Sequence, residues 1–300
     1  MENIVTCSDY SYNEYKKIIE QLNEKYKFLS CHIIGTSCAG RNIYALKLGR
    51  TNDCALYAGA FHGSERITCT LLLMFIEQFC NALEKGVQIA GIDARRAIYE
   101  KGIIIVPLVN PDGCEIALSG KTACGAYASK IEELCKGDFS HWNANLRGVD
   151  INHNFNAEWE TLRKLEQKAG IDGPAPTRFG GYRPESEPET IALTRLCRQI
   201  HFRHALAFHS QGEVIYHSFG NKVIPRAEKM AKILSASSGY SLAVAGGLAE
   251  GGGFKDWFIT EFERPAFTVE VGLGTNPLPP GDLLDIFNRL KEFLVLGIVM

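Results

Sequence analysis

Polar residues that can bind a metal ion follow two short apolar runs in this sequence. His62 and Glu65 come directly after the run at 54–61, and His209 follows the run at 205–208. In open α/β sheets ligands bind beyond the carboxyl ends of the strands, so these side chains should converge if both runs belong to one sheet. Two imidazoles and one carboxylate, with a fourth position left for water, form a catalytic zinc site. The pattern therefore indicates such a site.

A fourth candidate, Glu270, lies inside an apolar run, between Val269 and Val271. A carboxylate among β-branched residues of a buried strand is costly unless it is paired, hydrogen-bonded or close to a metal ion. Each of the other residues has a structural alternative when taken singly. A His-x-x-Glu pair often begins a solvated helix, and a histidine after a strand is often only hydrogen-bonded. Glu270 therefore favours a functional interpretation most directly.

Hydrophobic periodicity predicts the elements that position these residues. Helical spacing appears in five segments, at 12–26, 67–84, 187–201, 225–237 and 282–295. Extended or fully apolar runs predict strands at 31–34, 42–48, 54–61, 102–109, 205–208 and 266–271. Strands of this apolar character are normally covered by helices on both faces. We therefore expect a single α/β domain over residues 1–300, with a mixed, mainly parallel sheet.

Two local features refine this prediction. The stretch 119–184 has little periodicity and many turn residues, which is typical of a long functional loop. Ser186, Glu187, Pro188 and Glu189 form a capping signal, with proline early in the first turn, for the helix that follows.

Composition restricts the class of partner. Lys and Arg total 32 against 34 for Asp and Glu, a net charge of −2, so nucleic acids and acidic membranes are not expected partners. No apolar run reaches the roughly 20 residues of a spanning helix, and the polar first residues do not resemble a secretory signal. Ten cysteines without a CxxC pair indicate reduced thiols and a cytoplasmic location. Cys124 and Cys135 could pair only in an oxidising compartment.

Seven segments, in order and over most of the chain, resemble the zinc carboxypeptidases of the carboxypeptidase A type. Within that family they resemble the bacterial branch of γ-D-glutamyl-diaminopimelate peptidases and murein-peptide amidases. The segments are GTSCAGRNIYALKLG, AGAFHGSERIT, VPLVNPDG, NLRGVDINHNF, SEPET, LAFHSQGEVIY and FTVEVG. The resemblance implies one Zn²⁺ ion bound by His62, Glu65 and His209. It also implies that Glu270 takes a proton from water and delivers it to the leaving amine.

The same resemblance exposes departures from the family. The loop that carries the family's oxyanion-stabilising arginine is shortened, leaving Arg147 as the candidate, with a loop-bracing salt bridge as the alternative. Asn152-His153 replaces the Asn-Arg pair that holds a C-terminal carboxylate, so the bidentate clamp is missing. Leu248 stands in place of the family's mobile tyrosine. Lys255 stands at the floor of the side-chain pocket, where it would suit a substrate carboxylate or else extend to solvent.

The expected function is hydrolysis of the amide between D-glutamate and meso-diaminopimelate, or a similar diamino acid, in cell-wall peptides. His153 and Lys255 would then hold carboxylates of the diamino acid. A metallocarboxypeptidase of acidic or broad specificity and an acyl-amino-acid deacylase are alternatives. An inactive module that binds wall peptides is a further alternative, which predicts the loss of metal ligands or base.

Overall fold

A computed structural model describes residues 3–222 and 224–300. Its centre is an eight-stranded sheet with the order β1-β2-β6-β3-β7-β10-β8-β9. These strands are β1 (Ser30–Thr36), β2 (Asn42–Gly49), β3 (Cys54–Gly59), β6 (Gly102–Val106), β7 (Phe202–His209), β8 (Val214–Tyr216), β9 (Ser241–Ala243) and β10 (Ala266–Glu270). A separate two-stranded sheet pairs β4 (Gln88–Ile89) with β5 (Ile92–Asp93).

The sheet is parallel at its centre and antiparallel towards its edges. Strands β6, β3, β7 and β10 are mutually parallel, whereas β1–β2, β2–β6 and β10–β8 are antiparallel and β8–β9 is parallel. Strands β3, β6 and β7 are buried along their whole length. Burial on both faces explains why their sequences are continuously apolar rather than alternating. The predicted mixed sheet is confirmed.

Ten α-helices surround the sheet in the part of the chain that the structure describes. They are α1 (Tyr12–Lys25), α2 (Ile67–Lys85), α3 (Ala94–Glu100), α4 (Pro111–Ser119), α5 (Ala128–Leu134), α6 (Trp159–Lys168), α7 (Pro188–Gln199), α8 (Ala227–Ser238), α9 (Phe254–Phe262) and α10 (Leu283–Val299). One core packs α1, α2, α8 and α10 on one face of the sheet. A second core packs α7 and α9 on the other face. The predicted cover on both faces is therefore confirmed.

Helix α2 is a long apolar helix in contact with the sheet. By length and composition alone it could cross a bilayer, but 78% of its most apolar window is buried inside the protein. It packs against β3 and α10. Its burial on nearly all sides is typical of a central core helix.

Several predicted boundaries are wrong. Strand β3 ends at Gly59 rather than residue 61 because Ala60 adopts a left-handed conformation, with φ of 51°. Strand β6 ends at Val106 rather than 109, and Asn110 caps α4 by accepting a hydrogen bond from Gly113. The stretch 119–184 is not one long loop, since it contains α5, α6 and short 3₁₀ turns.

The capping signal before α7 is only partly correct. Pro188 is the first helical residue, as predicted, but the N-cap is Glu187 and its side chain makes no capping bond. Glu189 instead accepts hydrogen bonds from the backbone of Cys38 and the amide of Asn145. All ten cysteines are unpaired, including the pair that could have bridged under oxidising conditions.

Candidate metal centre

The loop between β3 and α2 presents His62 and Glu65 at the carboxyl edge of the sheet. Its path depends on Gly63, because a Cβ there would lie 2.3 Å from the Gly113 carbonyl oxygen and 2.4 Å from that of Trp142. No other residue fits so close to two backbone carbonyls. Glycine therefore lets the chain pass between its neighbours while the flanking side chains turn to the same point.

Three side chains from two separate parts of the chain meet there. The two carboxylate oxygens of Glu65 lie 2.8 Å from Nδ1 of His62 and 3.0 Å from Nδ1 of His209. The candidate ligand atoms of these three residues all lie within 4.8 Å of one another. These are the three residues whose side chains were expected from the sequence to converge.

The donor set fits a zinc ion. Nitrogen and carboxylate ligands with one open position are characteristic of catalytic zinc. The second nitrogen of His62, Nε2, is 3.1 Å from Oδ1 of Asp150, which is 1% exposed. A carboxylate on the outer nitrogen fixes the imidazole tautomer and leaves the inner nitrogen free to bind metal. The structure thus brings together three candidate ligands and a carboxylate that would orient one of them.

Burial and charge together set the protonation of this cluster. Burial opposes ionisation of the Glu65 and Asp150 carboxylates, yet the two histidines, His62 and His209, lower the pKa of Glu65 to about 2. His62, together with other neighbours, lowers the pKa of Asp150 well below its ordinary value. Burial alone would lower the pKa of His62, but Glu65 and Asp150 raise it well above the ordinary value. Two ionised carboxylates in a buried site create an environment that favours a cation.

Glu270 is the last residue of β10 and pairs in register with His209 across the parallel β7–β10 ladder. Residues paired in this way point to the same face of the sheet. Burial, reinforced by the negative charge of Glu65, raises the pKa of Glu270 to about 8. This carboxylate therefore belongs to the same electrostatic environment as the three ligands.

One cavity of about 290 Å³ contains the whole cluster. Seven of the eight predicted site residues line it, namely His62, Glu65, Asn152, His153, His209, Lys255 and Glu270. Asp150, Arg178 and Tyr216 also line it. The volume of this cavity lies at the lower end of the range for small-molecule sites in proteins.

A family model for zinc carboxypeptidases matches residues 15–292. The chain belongs to the zinc carboxypeptidase family. It is 34% identical over 295 residues to gamma-D-glutamyl-L-diamino acid endopeptidase 1 of Lysinibacillus sphaericus, which covers 97% of this chain and 73% of that protein. The family places the chain among zinc-dependent peptidases, enzymes whose substrates are peptides, and the metal cluster agrees with it.

Solved structures show the same fold at low sequence identity. Thrombin-activatable fibrinolysis inhibitor superposes with a TM-score of 0.76 at 19% identity, covering 97% of this chain and 74% of that one. Murein-tripeptide amidase from Escherichia coli O157 superposes with a TM-score of 0.53 at 20% identity, covering 89% and 91%. The carboxypeptidase-like architecture predicted from sequence is therefore confirmed.

Arg147 is the predicted site residue that the structure does not place in the cavity. Its side chain is 49% exposed, and Nη1 lies 3.5 Å from a carboxylate oxygen of Glu187. This position corresponds to the loop-bracing alternative rather than to the oxyanion role. The arginine that does line the cavity is Arg178.

Asn152 and His153, which stand where the family has its carboxylate clamp, are hydrogen-bonded to other groups of the protein. Nδ1 of His153 lies 2.7 Å from Oε1 of Glu166, which also pairs with Arg163. Oδ1 of Asn152 accepts a hydrogen bond of 3.0 Å from the backbone of Phe254. His153 therefore contributes one constrained ring to the cavity wall in place of the family's guanidinium fork.

Lys255 is buried, with 5% of its surface exposed, and does not extend to solvent. Its ammonium donates to the Ser218 carbonyl oxygen at 2.5 Å and pairs with the neighbouring Asp256. Asp256 also accepts a hydrogen bond of 2.8 Å from the backbone of Gly251. The lysine charge is therefore compensated within the cavity wall, which weakens its predicted role in holding a substrate carboxylate.

Sequence reasoning missed four partners of the site, namely Asp150, Glu166, Arg178 and Asp256. Asp150 lies in the segment NLRGVDINHNF that carries the resemblance, two residues before Asn152. A histidine ligand normally needs an acceptor on its outer nitrogen, so an aspartate in that segment was a detectable signal. Glu166 and Arg178 lie in the stretch that was predicted to be a loop, where no periodicity pointed to them.

Proposed function

We propose that this enzyme hydrolyses the amide bond between D-glutamate and a diamino acid in peptides derived from the bacterial cell wall. The observation that carries the proposal is the convergence of His62, Glu65, His209 and Glu270 in one cavity whose wall lacks a guanidinium at position 153. The similarity to an endopeptidase named for that bond supports the choice of substrate.

The protein residues divide the chemistry between them. A bound zinc ion would supply Lewis acidity, which polarises the scissile carbonyl and acidifies water. His62, Glu65 and His209 would hold that single ion, and Asp150 would fix the His62 ring through Nε2. The Glu270 carboxylate would accept a proton from the attacking water and donate it to the leaving nitrogen. The sequence retains all these groups, so an inactive binding module is not favoured.

At the position of the family's carboxylate clamp, residue 153, the site departs from that of an enzyme that binds an ordinary peptide C-terminus. A carboxypeptidase holds the terminal carboxylate with a bidentate guanidinium, and His153 offers at most one ring nitrogen while Nδ1 faces Glu166. The compensated charge of Lys255 also gives little support for a pocket that selects acidic side chains. These contacts support the endopeptidase or amidase alternative over a carboxypeptidase.

The test is product analysis with the zinc-loaded enzyme. We expect L-Ala-γ-D-Glu-diaminopimelate to yield L-Ala-D-Glu and free diaminopimelate. Matched α-linked peptides with free C-termini, and an N-acetylated amino acid, should remain largely intact. Release of only ordinary C-terminal residues would instead identify a carboxypeptidase, and hydrolysis of only the acetylated amino acid would identify a deacylase.

A cytoplasmic location, with recycled wall peptides as substrates, is part of the same proposal. Ten unpaired cysteines support a reducing compartment, because cytosolic proteins keep their thiols reduced. Fractionation of the native cells, with the hydrolysis assay applied to each fraction, tests it. Activity confined to the culture medium or the wall fraction would contradict this location.

A further inference from the structure

The cavity contains more buried negative charge than positive charge that is free to bind a ligand. Two of its cationic or potentially cationic residues are already engaged with carboxylates of the protein. Lys255 pairs with Asp256, and His153 faces Glu166. Neither Lys255 nor His153 is therefore free to pair with a peptide carboxylate that enters the cavity.

Arg178 is different. It lines the same cavity and is exposed, and within residues 3–222 and 224–300 its guanidinium makes no hydrogen bond or ion pair. Only its backbone nitrogen is engaged, donating to Oδ2 of Asp150 at 2.7 Å. An arginine in this state presents all five N–H donors in a fork that matches a carboxylate.

The backbone at Arg178 is held in an unusual conformation by its neighbours. Its φ is 65°, a left-handed value that is uncommon for a residue with a branched or long side chain. Thr177 donates its hydroxyl to Asp150 at 3.2 Å, and the Phe179 carbonyl accepts the Asp150 backbone N–H at 2.7 Å. Phe179 is fully buried. Strain of this kind persists only where surrounding contacts over-determine it.

A second set of hydrogen bonds fixes the segment from its other side. The Pro176 carbonyl accepts from the backbone nitrogens of Asn143 and Ala144, both at 2.9 Å. Asn143 itself lines the cavity. The segment that bears Arg178 is therefore hydrogen-bonded along its length to the segment 143–150. The latter segment ends at Asp150, the residue that would orient a metal ligand.

We propose that Arg178 binds a carboxylate of the peptide substrate and so selects anionic peptides. The inference rests on the proposed function for its substrate. In a γ-linked D-glutamyl peptide the α-carboxylate of the glutamyl residue remains free, two methylene groups away from the scissile amide carbonyl, and diaminopimelate adds further carboxylates. A bidentate guanidinium contact would position such a group and would distinguish it from the corresponding carboxamide.

The test separates binding from turnover by using the Glu270→Gln background, in which peptide should bind to the zinc-loaded protein without being hydrolysed. Calorimetry would compare the γ-D-Glu-diaminopimelate tripeptide with analogues in which each carboxylate is amidated singly. We expect one amidation to weaken binding about tenfold, which corresponds to about 1.4 kcal/mol. In Arg178→Gly that difference should disappear, because the free-carboxylate peptide should bind no better than its amide. Arg178→Lys should retain an intermediate preference, since it keeps charge but loses the fork.

The variants also control for folding. Glycine accommodates a φ of 65° without strain, so Arg178→Gly should unfold at the same temperature as the parent or higher. Arg183→Ala is the matched control, since Arg183 is an exposed arginine of the same loop that does not line the cavity. It should leave the carboxylate preference unchanged.

The outcomes distinguish this inference from the proposed function. If the active enzyme fails to cleave the tripeptide but the carboxylate preference is present and depends on Arg178, the proposed function fails and the inference stands. If cleavage occurs but Arg178→Gly weakens all peptides by the same factor, or none, the inference is wrong. Absence of tripeptide binding altogether would overturn both.

Discussion

Asp150→Asn should weaken zinc binding without removing any metal ligand. Oδ1 of Asp150 is 3.1 Å from Nε2 of His62 and is buried, so the ionised carboxylate holds the ring with Nδ1 towards Glu65, where a zinc ion would bind. Outer-shell partners of this type typically contribute about 10- to 100-fold in metal affinity. We therefore expect a loss of about 1.4 to 2.8 kcal/mol in zinc binding.

The assay is a zinc titration in chelator-buffered solutions, with bound metal measured directly and thermal unfolding of the metal-free protein measured in parallel. Asp150 also accepts backbone hydrogen bonds from Asn152 and Arg178, so some loss of stability is expected, about 1 to 3 kcal/mol. Thr177→Val is the control, since it removes only the hydroxyl bond to Oδ2. Equal zinc affinity in Asp150→Asn and the parent would refute the reasoning, whatever the change in stability.

Three further changes test other parts of the structure. Glu270→Gln should lower turnover by about 100- to 10,000-fold with zinc content unchanged, because the proton acceptor is lost but no ligand is; near-normal turnover would show that another group is the base. Lys255→Met should lower the free energy of unfolding in urea by about 3 to 5 kcal/mol by leaving Asp256 buried without its cation, and adding Asp256→Asn should recover much of it; equal loss in single and double variants would contradict this. Burial, reinforced by Asp112, raises the pKa of Glu189 from 4.5 to about 7, so the folded state holds the proton more tightly and stability falls as pH rises through that interval. In urea unfolding, the free energy of unfolding of Glu189→Gln should therefore rise by up to about 3 kcal/mol relative to that of the parent as the pH increases from 4.5 to 8. A difference in unfolding free energy that does not change with pH would exclude this ionisation.

The strands that carry the ligands were predictable because a strand buried on both faces leaves a continuous apolar run. Strand β7 is buried at all eight positions, and its last residue is the candidate ligand His209. Strand β8 was not predicted, since its three residues are too few to show a period. It nevertheless brings Tyr216 to the cavity.

Helix α6 was missed for a different reason. Its buried face includes Arg163 and Glu166, which read as polar positions in the sequence although they pair with each other inside the protein. The helix has only three apolar residues, Trp159, Leu162 and Leu165, so its apolar stripe is short and most of its ten positions are polar. Within a stretch rich in turn residues, that short stripe did not predict a helix.

The sequence pointed to the candidate ligands directly, whereas of their partners it carried a signal only for Asp150. His62 and Glu65 are three residues apart, so one loop aims both, whereas the acceptor for His62 lies 88 residues away in Asp150. Lys255 shows the same limit on a shorter scale. Its residue type suggested a substrate contact, but its charge is compensated by adjacent Asp256 and the carbonyl of Ser218, which only the folded chain reveals.

The pairing of His209 with Glu270 across adjacent parallel strands makes the hydrolytic geometry a property of the backbone. Neighbouring strands are about 4.8 Å apart, and a slip of one residue would turn either side chain to the opposite face. Side chains of the loop that bears Arg178 can be exchanged without altering that spacing, as long as the bonds from the loop to Asp150 are kept. Substrate preference could thus be re-engineered by substitutions in this loop, whereas a single-residue deletion in either strand would disable the enzyme.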